Sequence, residues 1–322
     1  MSDLELDHDL INRFEEGLDP RYPERSHVPA RVLGFGEIST VLQIGAGDQP
    51  DLAYKRMPMF KDMDEAEAYQ ALYHDYLELL AQAAIAVVPG AIAVLPERRG
   101  RVVAYIAQEK LPAGSICHNA FHALPPAEVR RLFLAVLAET SKVFEFNRTN
   151  AGRTTVGFDA QISNWAIVDY APDQALLPDP IRLRYFDTST PLIRRQGQEQ
   201  LDPELFLRSA PSFLVWVIRL FLLEDVMNRY YDRRQVIIDI IANFYKEGRP
   251  ELIPELVGAA NDFMAGQASV AFEPLTAAEI AAYYKDDART WRIYLAFRKI
   301  DRSLHRLLGK EYPYVLPDKV KR

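Results

Sequence analysis

Apolar and polar positions change their period along the chain, from two residues in the first third to a helical period in the remainder. Residues 31–60 alternate between apolar and polar side chains on either side of glycine-containing turns, which predicts consecutive antiparallel strands. Residues 62–80 place Tyr69, Tyr73 and Tyr76 on one apolar stripe, the pattern of an amphipathic helix. Two more strands are predicted within residues 91–109. The first part of the chain therefore predicts an antiparallel sheet with one helix inserted.

The helical period prevails after residue 112. Residues 126–149 begin with a proline and carry apolar residues at intervals of three and four, which predicts a long amphipathic helix. Four more helices are predicted, over residues 212–231, 235–248, 250–266 and 277–309. We therefore predict an α+β protein with three parts: an N-terminal extension (1–23), a sheet-rich lobe (24–112) and a mainly helical lobe (113–322).

Composition narrows the class of protein. With 322 residues, of which 49% are hydrophobic, the chain can form one or two packed domains. A formal net charge of -7 disfavours a generic nucleic-acid binder, because phosphate backbones attract a basic surface. The single cysteine, Cys117, excludes an intramolecular disulfide.

The N-terminal residues lack the pattern of a signal peptide. The two long apolar stretches, residues 79–95 and 212–227, are interrupted by Gln82 and Pro89 and by Arg219, so neither is a clean membrane span. A cytoplasmic protein is therefore expected.

Three oxygen-bearing side chains lie at the ends of predicted strands in the central stretch, residues 153–191. Asp159 precedes Asn164 by five positions, and Asp187 comes directly after the strand IRLRYF. Carboxylate and amide oxygens are the ligands that Mg²⁺ prefers, and a carboxylate can orient or deprotonate a hydroxyl group. The pattern therefore indicates magnesium-dependent phosphoryl transfer. The alternative is that these residues only form local hydrogen bonds in turns.

Polar features of the predicted sheet add to this pattern. Gly34 and Gly36 interrupt the first hairpin, where glycines let the backbone approach a polyanion and Ser39 could add a donor. A plain hairpin turn is the alternative. Lys55 points to an apolar face of its strand, so it requires an anionic partner. Glu65, near the N-terminal end of the apolar stripe on the next helix, is the predicted partner of Lys55.

Taken in order, these motifs resemble the protein-kinase-like superfamily, and more closely its small-molecule branch of the aminoglycoside and choline phosphotransferase type. The resemblance covers residues 30–192 and implies a two-lobed kinase-like fold that uses ATP and Mg²⁺. It implies that Gly34, Gly36 and Ser39 lie over the ATP phosphates. It also implies that Lys55 holds the α- and β-phosphates and that Glu65 orients Lys55.

The same resemblance implies roles for the later motifs. Backbone atoms near Glu109 and Leu111 would face the adenine, and the sheet-rich lobe would be the nucleotide-binding part. Asp159 would be the catalytic base or orient the acceptor, whereas Asn164 and Asp187 would coordinate magnesium. The implied substrate is a small hydroxyl-bearing molecule. A cationic substrate is one expectation, since Asp202, Glu204, Glu224 and Asp225 could attract it; the alternative is that these are solvated helix charges.

One departure from the family pattern separates two functions. The family has a histidine two positions before the catalytic aspartate, where this chain has Gly157. An active phosphotransferase is favoured by the presence of Asp159, Asn164 and Asp187 together. A nucleotide-binding pseudokinase or scaffold without turnover is the alternative that Gly157 supports. A purely structural α+β protein is a third, and it requires Lys55 to be an unpaired surface residue.

Overall fold

The first half of the chain folds around a five-stranded antiparallel sheet. In the computed structural model, the residues described are 4–36, 39–45, 52–98, 100–172, 174–208, 215, 227–267 and 272–317. The strands are β1 (Ala30–Phe35), β2 (Thr40–Ile44), β3 (Leu52–Phe60), β4 (Gly90–Val94) and β5 (Val102–Glu109). Their order across the sheet is β1-β2-β3-β5-β4, and each neighbouring pair is antiparallel. The predicted antiparallel sheet is thereby confirmed.

One helix, α2 (Met63–Gln82), covers the inner face of this sheet. Asp62 caps it, because the Asp62 carboxylate accepts a hydrogen bond of 2.9 Å from the backbone N–H of Glu65. The tyrosines Tyr69, Tyr73 and Tyr76 are buried, as their shared stripe predicted. Tyr69 and Tyr73 join a cluster with Met57 and Ile106 of the sheet.

A second helix, α1 (His8–Glu16), covers the outer face of the sheet. Its apolar side chains Leu10, Ile11 and Phe14 pack in one cluster with Tyr54 and Tyr105. The residues of β3 alternate between the two faces, so Tyr54 and Arg56 point outward, whereas Lys55 points inward.

The second half of the chain is mainly helical in its described residues. Its helices are α3 (Cys117–Ala123), α4 (Pro126–Thr149), α5 (Glu204–Leu207), α6 (Arg233–Lys246), α7 (Ile253–Ala265) and α8 (Ala277–Leu307). Buried residues of α4, α6 and α7 belong to the largest apolar cluster of the residues that the structure describes. The helix predicted over residues 212–231 lies mostly outside the described residues, as do Glu224 and Asp225. Within the described chain, every helix is too short or too polar to cross a membrane.

Five short strands connect α4 to α5 and position two loops. They are β6 (Thr154–Val156), β7 (Trp165–Ile167), β8 (Leu183–Tyr185), β9 (Ile193–Arg195) and β10 (Gln198–Glu199). Strands β6, β9 and β10 form one antiparallel sheet, and β7 pairs with β8 in another. Asp159 lies in the loop after β6, and Asp187 lies in the turn after β8. These pairings bring the two loops together.

The segment after α8 returns to the outer face of the five-stranded sheet. Tyr314, Val315 and Leu316 are buried there. The Thr40 hydroxyl donates to the backbone carbonyl of Val315 at 3.3 Å, and Arg56 Nη1 donates to that of Pro313 at 2.6 Å. Described residues from both ends of the chain therefore meet on β2 and β3.

Candidate active site

The site is centred on an ion pair between β3 and the turn that follows β8. Lys55 Nζ lies 2.5 Å from Asp187 Oδ1 and donates a hydrogen bond of 2.6 Å to Ser189 Oγ. The Ser189 hydroxyl donates to Asp187 Oδ1 at 3.2 Å. This ion pair connects the five-stranded sheet to the turn after β8. Lys55 therefore has an anionic partner within the protein, and that partner is Asp187.

Glu65 does not take the predicted role of partner to Lys55 in this structure. Both carboxylate oxygens of Glu65 bind Arg208 instead, one of them at 2.6 Å from Arg208 Nη2. The physical reason is the helix cap: Glu65 lies in the first turn of α2, and its carboxylate bends back to accept from the backbone N–H of Lys61 at 2.9 Å. The side chain therefore points along the helix end and meets Arg208.

The loop that carries Asp159 is held by hydrogen bonds to its backbone carbonyls. Asn164 Nδ2 and the Tyr185 hydroxyl both donate to the carbonyl of Asp159, at 3.0 and 3.1 Å. The Tyr76 hydroxyl donates to the carbonyl of Gly157 at 3.1 Å. Two tyrosines and one asparagine therefore fix the backbone on either side of Phe158, which is itself fully buried.

Gly157 occupies a position with no room for a side chain. A Cβ atom there would lie 2.7 Å from Leu192 Cβ and 3.0 Å from Tyr231 Cζ. Because real Cβ atoms do not approach so closely, a histidine would displace its neighbours. Tyr76 and Tyr185 hold the backbone on either side of Phe158, so Gly157 is compatible with an ordered loop.

The two aspartates of the site have opposite electrostatic environments. Burial and the negative charges of Asp239 and Asp187 together raise the pKa of Asp159 to about 7, against the opposing charge of Arg229. Burial also favours the protonated form of Asp187, but the charge of Lys55 and hydrogen bonds from Lys55 and Ser189 outweigh it and lower its pKa. Asp187 is therefore the permanent anion, and Asp159 is suited to exchange a proton near neutral pH.

The oxygen atoms near Asp187 would suit a magnesium ion. The side chains of Lys55 and Ser189 both bind Oδ1 of Asp187, so Oδ2 is the oxygen that would hold a metal. Asn164 turns its Nδ2 to the Asp159 carbonyl, so its Oδ1 points elsewhere. No three His, Cys, Asp or Glu side chains are grouped for a metal in the part of the chain that the structure describes. Magnesium needs only one or two carboxylates beside substrate phosphates and water, so this donor set fits it.

The predicted phosphate loop is described at both ends of its hairpin. Gly36 closes it, with a hydrogen bond of 3.0 Å from its N–H to the carbonyl of Ser39; a Cβ atom on Gly36 would lie 2.6 Å from Ser39 Oγ. Gly34 lies at a bulge of β1, where a Cβ atom would meet open space. Ser39 is buried and lines a small recess with Arg56 and Tyr314. The roles of these three residues over a phosphate stay predictions.

The connection between the sheet and the helices begins at the two residues predicted to face adenine. Glu109 ends β5 and is exposed, with its carboxylate 3.6 Å from Arg184. Leu111 follows and is half-buried. Their position at this connection leaves the adenine assignment a prediction.

Sequence reasoning missed several residues of the site. Ser189 stands two positions after Asp187, close enough in sequence to have been included. Tyr76 was assigned to the apolar stripe of α2, and its hydroxyl gave no separate signal. Arg208, directly after α5, and Asp239, on α6, lie far along the chain, and nothing in their spacing points to the site.

These observations define an α+β protein in which a lysine–carboxylate site lies between an antiparallel sheet and a helical region. The chain belongs to a family of unknown function, DUF6206, whose model matches residues 27–302. No curated protein matches the chain. A solved structure of WaaP in complex with acyl carrier protein is similar at 16% identity, covering 73% of this chain and 89% of that one, with a TM-score of 0.33. A similarity of this extent leaves the function to be argued from the site itself.

Proposed function

We propose that this protein is an ATP- and magnesium-dependent phosphotransferase with a kinase-like fold that acts on a small hydroxyl-bearing molecule. The observation that carries the proposal is the meeting of Lys55 and Asp187 at 2.5 Å, with Asn164 and Asp159 in the adjoining loop. A cation and an anion from distant parts of the chain meet where a nucleotide would lie between sheet and helices. Phosphoryl transfer relies on such positioning and on charge.

Each residue has a distinct task in this proposal. Lys55 would bind phosphate oxygens, because its ammonium is the cation that the inner face of β3 presents. Asp187 Oδ2 and Asn164 Oδ1 would hold magnesium, which supplies charge neutralisation for the phosphates when bound. Asp159 would accept the proton of the acceptor hydroxyl, and its pKa of about 7 suits that task at neutral pH.

A pseudokinase is the second candidate, and one observation favours it. Glu65 is paired with Arg208, so Lys55 lacks the orienting carboxylate that the kinase resemblance implies. A protein that binds nucleotide without turnover would tolerate this arrangement. The support of the Asp159 loop by Tyr76 and Tyr185 favours the phosphotransferase, because a binding module has no need for an ordered catalytic loop.

A thermal-shift titration tests the proposal. The purified protein is titrated with ATP, GTP and ADP, with and without magnesium, beside the variants Asp187→Ala and Asp75→Ala. Asp75 is an exposed carboxylate of α2 that pairs with Arg195, so its variant is the matched control. We expect a magnesium-dependent rise in melting temperature for the wild type and the control, and loss of the magnesium dependence in Asp187→Ala.

The titration has two further outcomes. If no nucleotide shifts the wild type at millimolar concentration, the phosphotransferase proposal is wrong. If nucleotide binds, a screen of small alcohols for phosphorylation separates the enzyme from the pseudokinase, with Asp159→Asn as the inactive comparison.

A further inference from the structure

The side chain of Gln161 connects the Asp159 loop to helix α6. The backbone N–H of Gln161 donates to Asp159 Oδ1 at 3.3 Å. Its Nε2 donates to Asp239 Oδ2 at 2.8 Å, and its Oε1 accepts from Asn243 Nδ2 at 3.1 Å. Since an ionised carboxylate only accepts hydrogen bonds, this arrangement fixes which end of the Gln161 amide faces Asp239.

The two partners of Gln161 are one turn apart on α6. Positions 239 and 243 are separated by four residues, so both side chains face the loop. Asp239 interrupts the run Ile237, Ile238, Ile240, Ile241, whose members are all buried in the main core. Asp239 itself is half-buried, so its carboxylate is partly removed from water and is stabilised by hydrogen bonds to its oxygens. Its place on α6 is therefore explained by what it binds.

Both oxygens of Asp239 are engaged within the protein. While Oδ2 accepts from Gln161, Oδ1 accepts from the hydroxyl of Tyr283 on α8 at 2.9 Å. Tyr283 also accepts from Arg229 Nη1 at 3.4 Å. Asp239 lines the same recess as Asp159, which could suggest a contact with the substrate. Its existing hydrogen bonds favour a role in holding the loop instead.

We propose that Asp239 is a positioning residue, which acts through Gln161 to hold Asp159 in the orientation that the acceptor hydroxyl requires. This inference rests on the proposed function. Catalytic groups must be held to within a fraction of an ångström, and a displacement of about 1 Å can reduce the rate on the order of 100-fold. Asp239 and Asn243 supply that restraint from a helix whose apolar face is fixed in the core.

Amide hydrogen exchange tests the restraint without any assumption about activity. Exchange is measured by mass spectrometry over residues 157–165 in the wild type, Asp239→Ala, Gln161→Ala and the double variant. We expect faster exchange in both single variants and no increase in the double variant beyond that of Gln161→Ala, because Asp239 acts on the loop through Gln161. Asp262→Ala, an exposed aspartate of α7, is the control and should leave this segment unchanged.

A reciprocal exchange of side chains gives a sharper result. Gln161→Glu places a second carboxylate against Asp239 and should increase exchange in the loop more than Gln161→Ala does. Adding Asp239→Asn restores a pair of one carboxylate and one amide, in which the amide at position 239 on α6 is now the donor. Exchange in the loop should then return toward the wild-type rate. A simple loss of folding would not be rescued by this second substitution. Melting temperatures of all variants identify any that fail to fold.

Hydrolysis of magnesium-ATP, with water as the acceptor, tests the catalytic part. We expect kcat to fall on the order of 100-fold in Asp239→Ala, with KM for ATP within about twofold of the wild type, because nucleotide contacts are untouched. Unchanged exchange in Asp239→Ala, or failure of the reciprocal pair to rescue, would overturn the role of Asp239. If the wild type neither hydrolyses ATP nor binds nucleotide, only the proposed function is contradicted. The hydrogen-exchange results then still show whether Asp239 restrains the Asp159 loop.

Discussion

Glu65 and Arg208 form a two-point ion pair that joins the start of α2 to the end of α5. Arg208 Nη1 also donates to the carbonyl of Met59 at 3.0 Å, so the guanidinium binds both β3 and α2. Charge-assisted hydrogen bonds of this kind contribute about 1.5 to 3 kcal/mol each at sites shielded from water, and less where the side chains are partly exposed.

We therefore expect Arg208→Gln and Glu65→Gln each to lower the free energy of unfolding by about 1 to 2 kcal/mol. The double variant should lose little more than either single variant, because both remove the same pair. Urea denaturation measures these differences. Additive losses would show that the two residues stabilise the protein independently.

Removing Lys55 alone should be worse for stability than removing both members of its pair. Lys55→Met leaves Asp187 as a partly buried carboxylate that keeps only its hydrogen bond from Ser189. We expect a loss of about 1 to 3 kcal/mol in the absence of nucleotide, discounted for the partial exposure of the pair. Lys55→Met combined with Asp187→Asn should regain part of it. Denaturant midpoints provide the comparison, and Lys61→Met, an exposed lysine, is the control.

A side chain at position 157 should destabilise the protein even when it is the smallest possible one. Gly157→Ala places a Cβ atom 2.7 Å from that of Leu192, and overpacking of this kind costs about 1 to 3 kcal/mol. Gly152→Ala offers a contrasting variant, because a Cβ atom there meets open space and only its positive φ is strained. If Gly157→His were as stable as the wild type, the close packing described for this position would be incorrect.

Acid should weaken the attachment of α1 to the sheet. Burial favours protonation of Glu15, but the charge of Arg56 and hydrogen bonds from Arg56 and Tyr105 outweigh it, so the pKa of Glu15 is lowered. The stabilisation by a carboxylate with a lowered pKa is complete above its ordinary value of 4.5 and is lost as the pH falls through the folded-state pKa.

Glu15→Gln should therefore be less stable than the wild type at pH 7, by about 3 kcal/mol for a broken buried pair. The difference should shrink as the pH is lowered below 4.5. Thermal unfolding at a series of pH values from 7 to 3 checks this. The neighbouring Glu16→Gln is the control, since Glu16 pairs with Arg98 at a more exposed position.

Shortening the chain after residue 310 should unfold the outer face of the sheet. That variant lacks Tyr314, Val315 and Leu316, and burial of three such side chains contributes at least about 4 kcal/mol. It also lacks the carbonyl that accepts from Arg56. Shortening after residue 317 keeps all of these contacts, so that variant should melt at a higher temperature than the one shortened after residue 310. Equal melting temperatures for the two shortened proteins would contradict the packing described here.

The sequence predicts the antiparallel sheet, but it does not predict which carboxylate pairs with Lys55. The alternation of side chains around Lys55 and the apolar stripe with Tyr69 and Tyr73 depend only on nearby residues. The strand and the helix that they predict are therefore present in the structure. Lys55 could be recognised because a lysine on an apolar face needs an anion. Which anion it meets depends on the direction of the Glu65 side chain, and that is set by the cap at Asp62.

Contacts between residues far apart in the sequence could not be predicted, for a different reason. Arg208, Asp239 and Tyr314 each bind a residue more than 70 positions away, and their neighbours in sequence give no sign of it. The burial of Tyr314 had no periodic signal, because the segment after α8 is not a regular element. Such contacts depend on how whole helices and strands pack together. The periodicity of apolar residues within one element gives no information about that packing.

The meeting of both chain ends at Arg56 has a consequence for biosynthesis. Glu15 precedes Arg56 in the chain, so this ion pair can form once α1 and β3 have both been synthesised. The carbonyl of Pro313, however, leaves the ribosome only after almost all other described residues. Until then Arg56, at the centre of a nearly complete sheet, has its guanidinium only partly bound. The outer face of the sheet is therefore completed only after residue 313 has been synthesised, although its five strands have all been translated by residue 109.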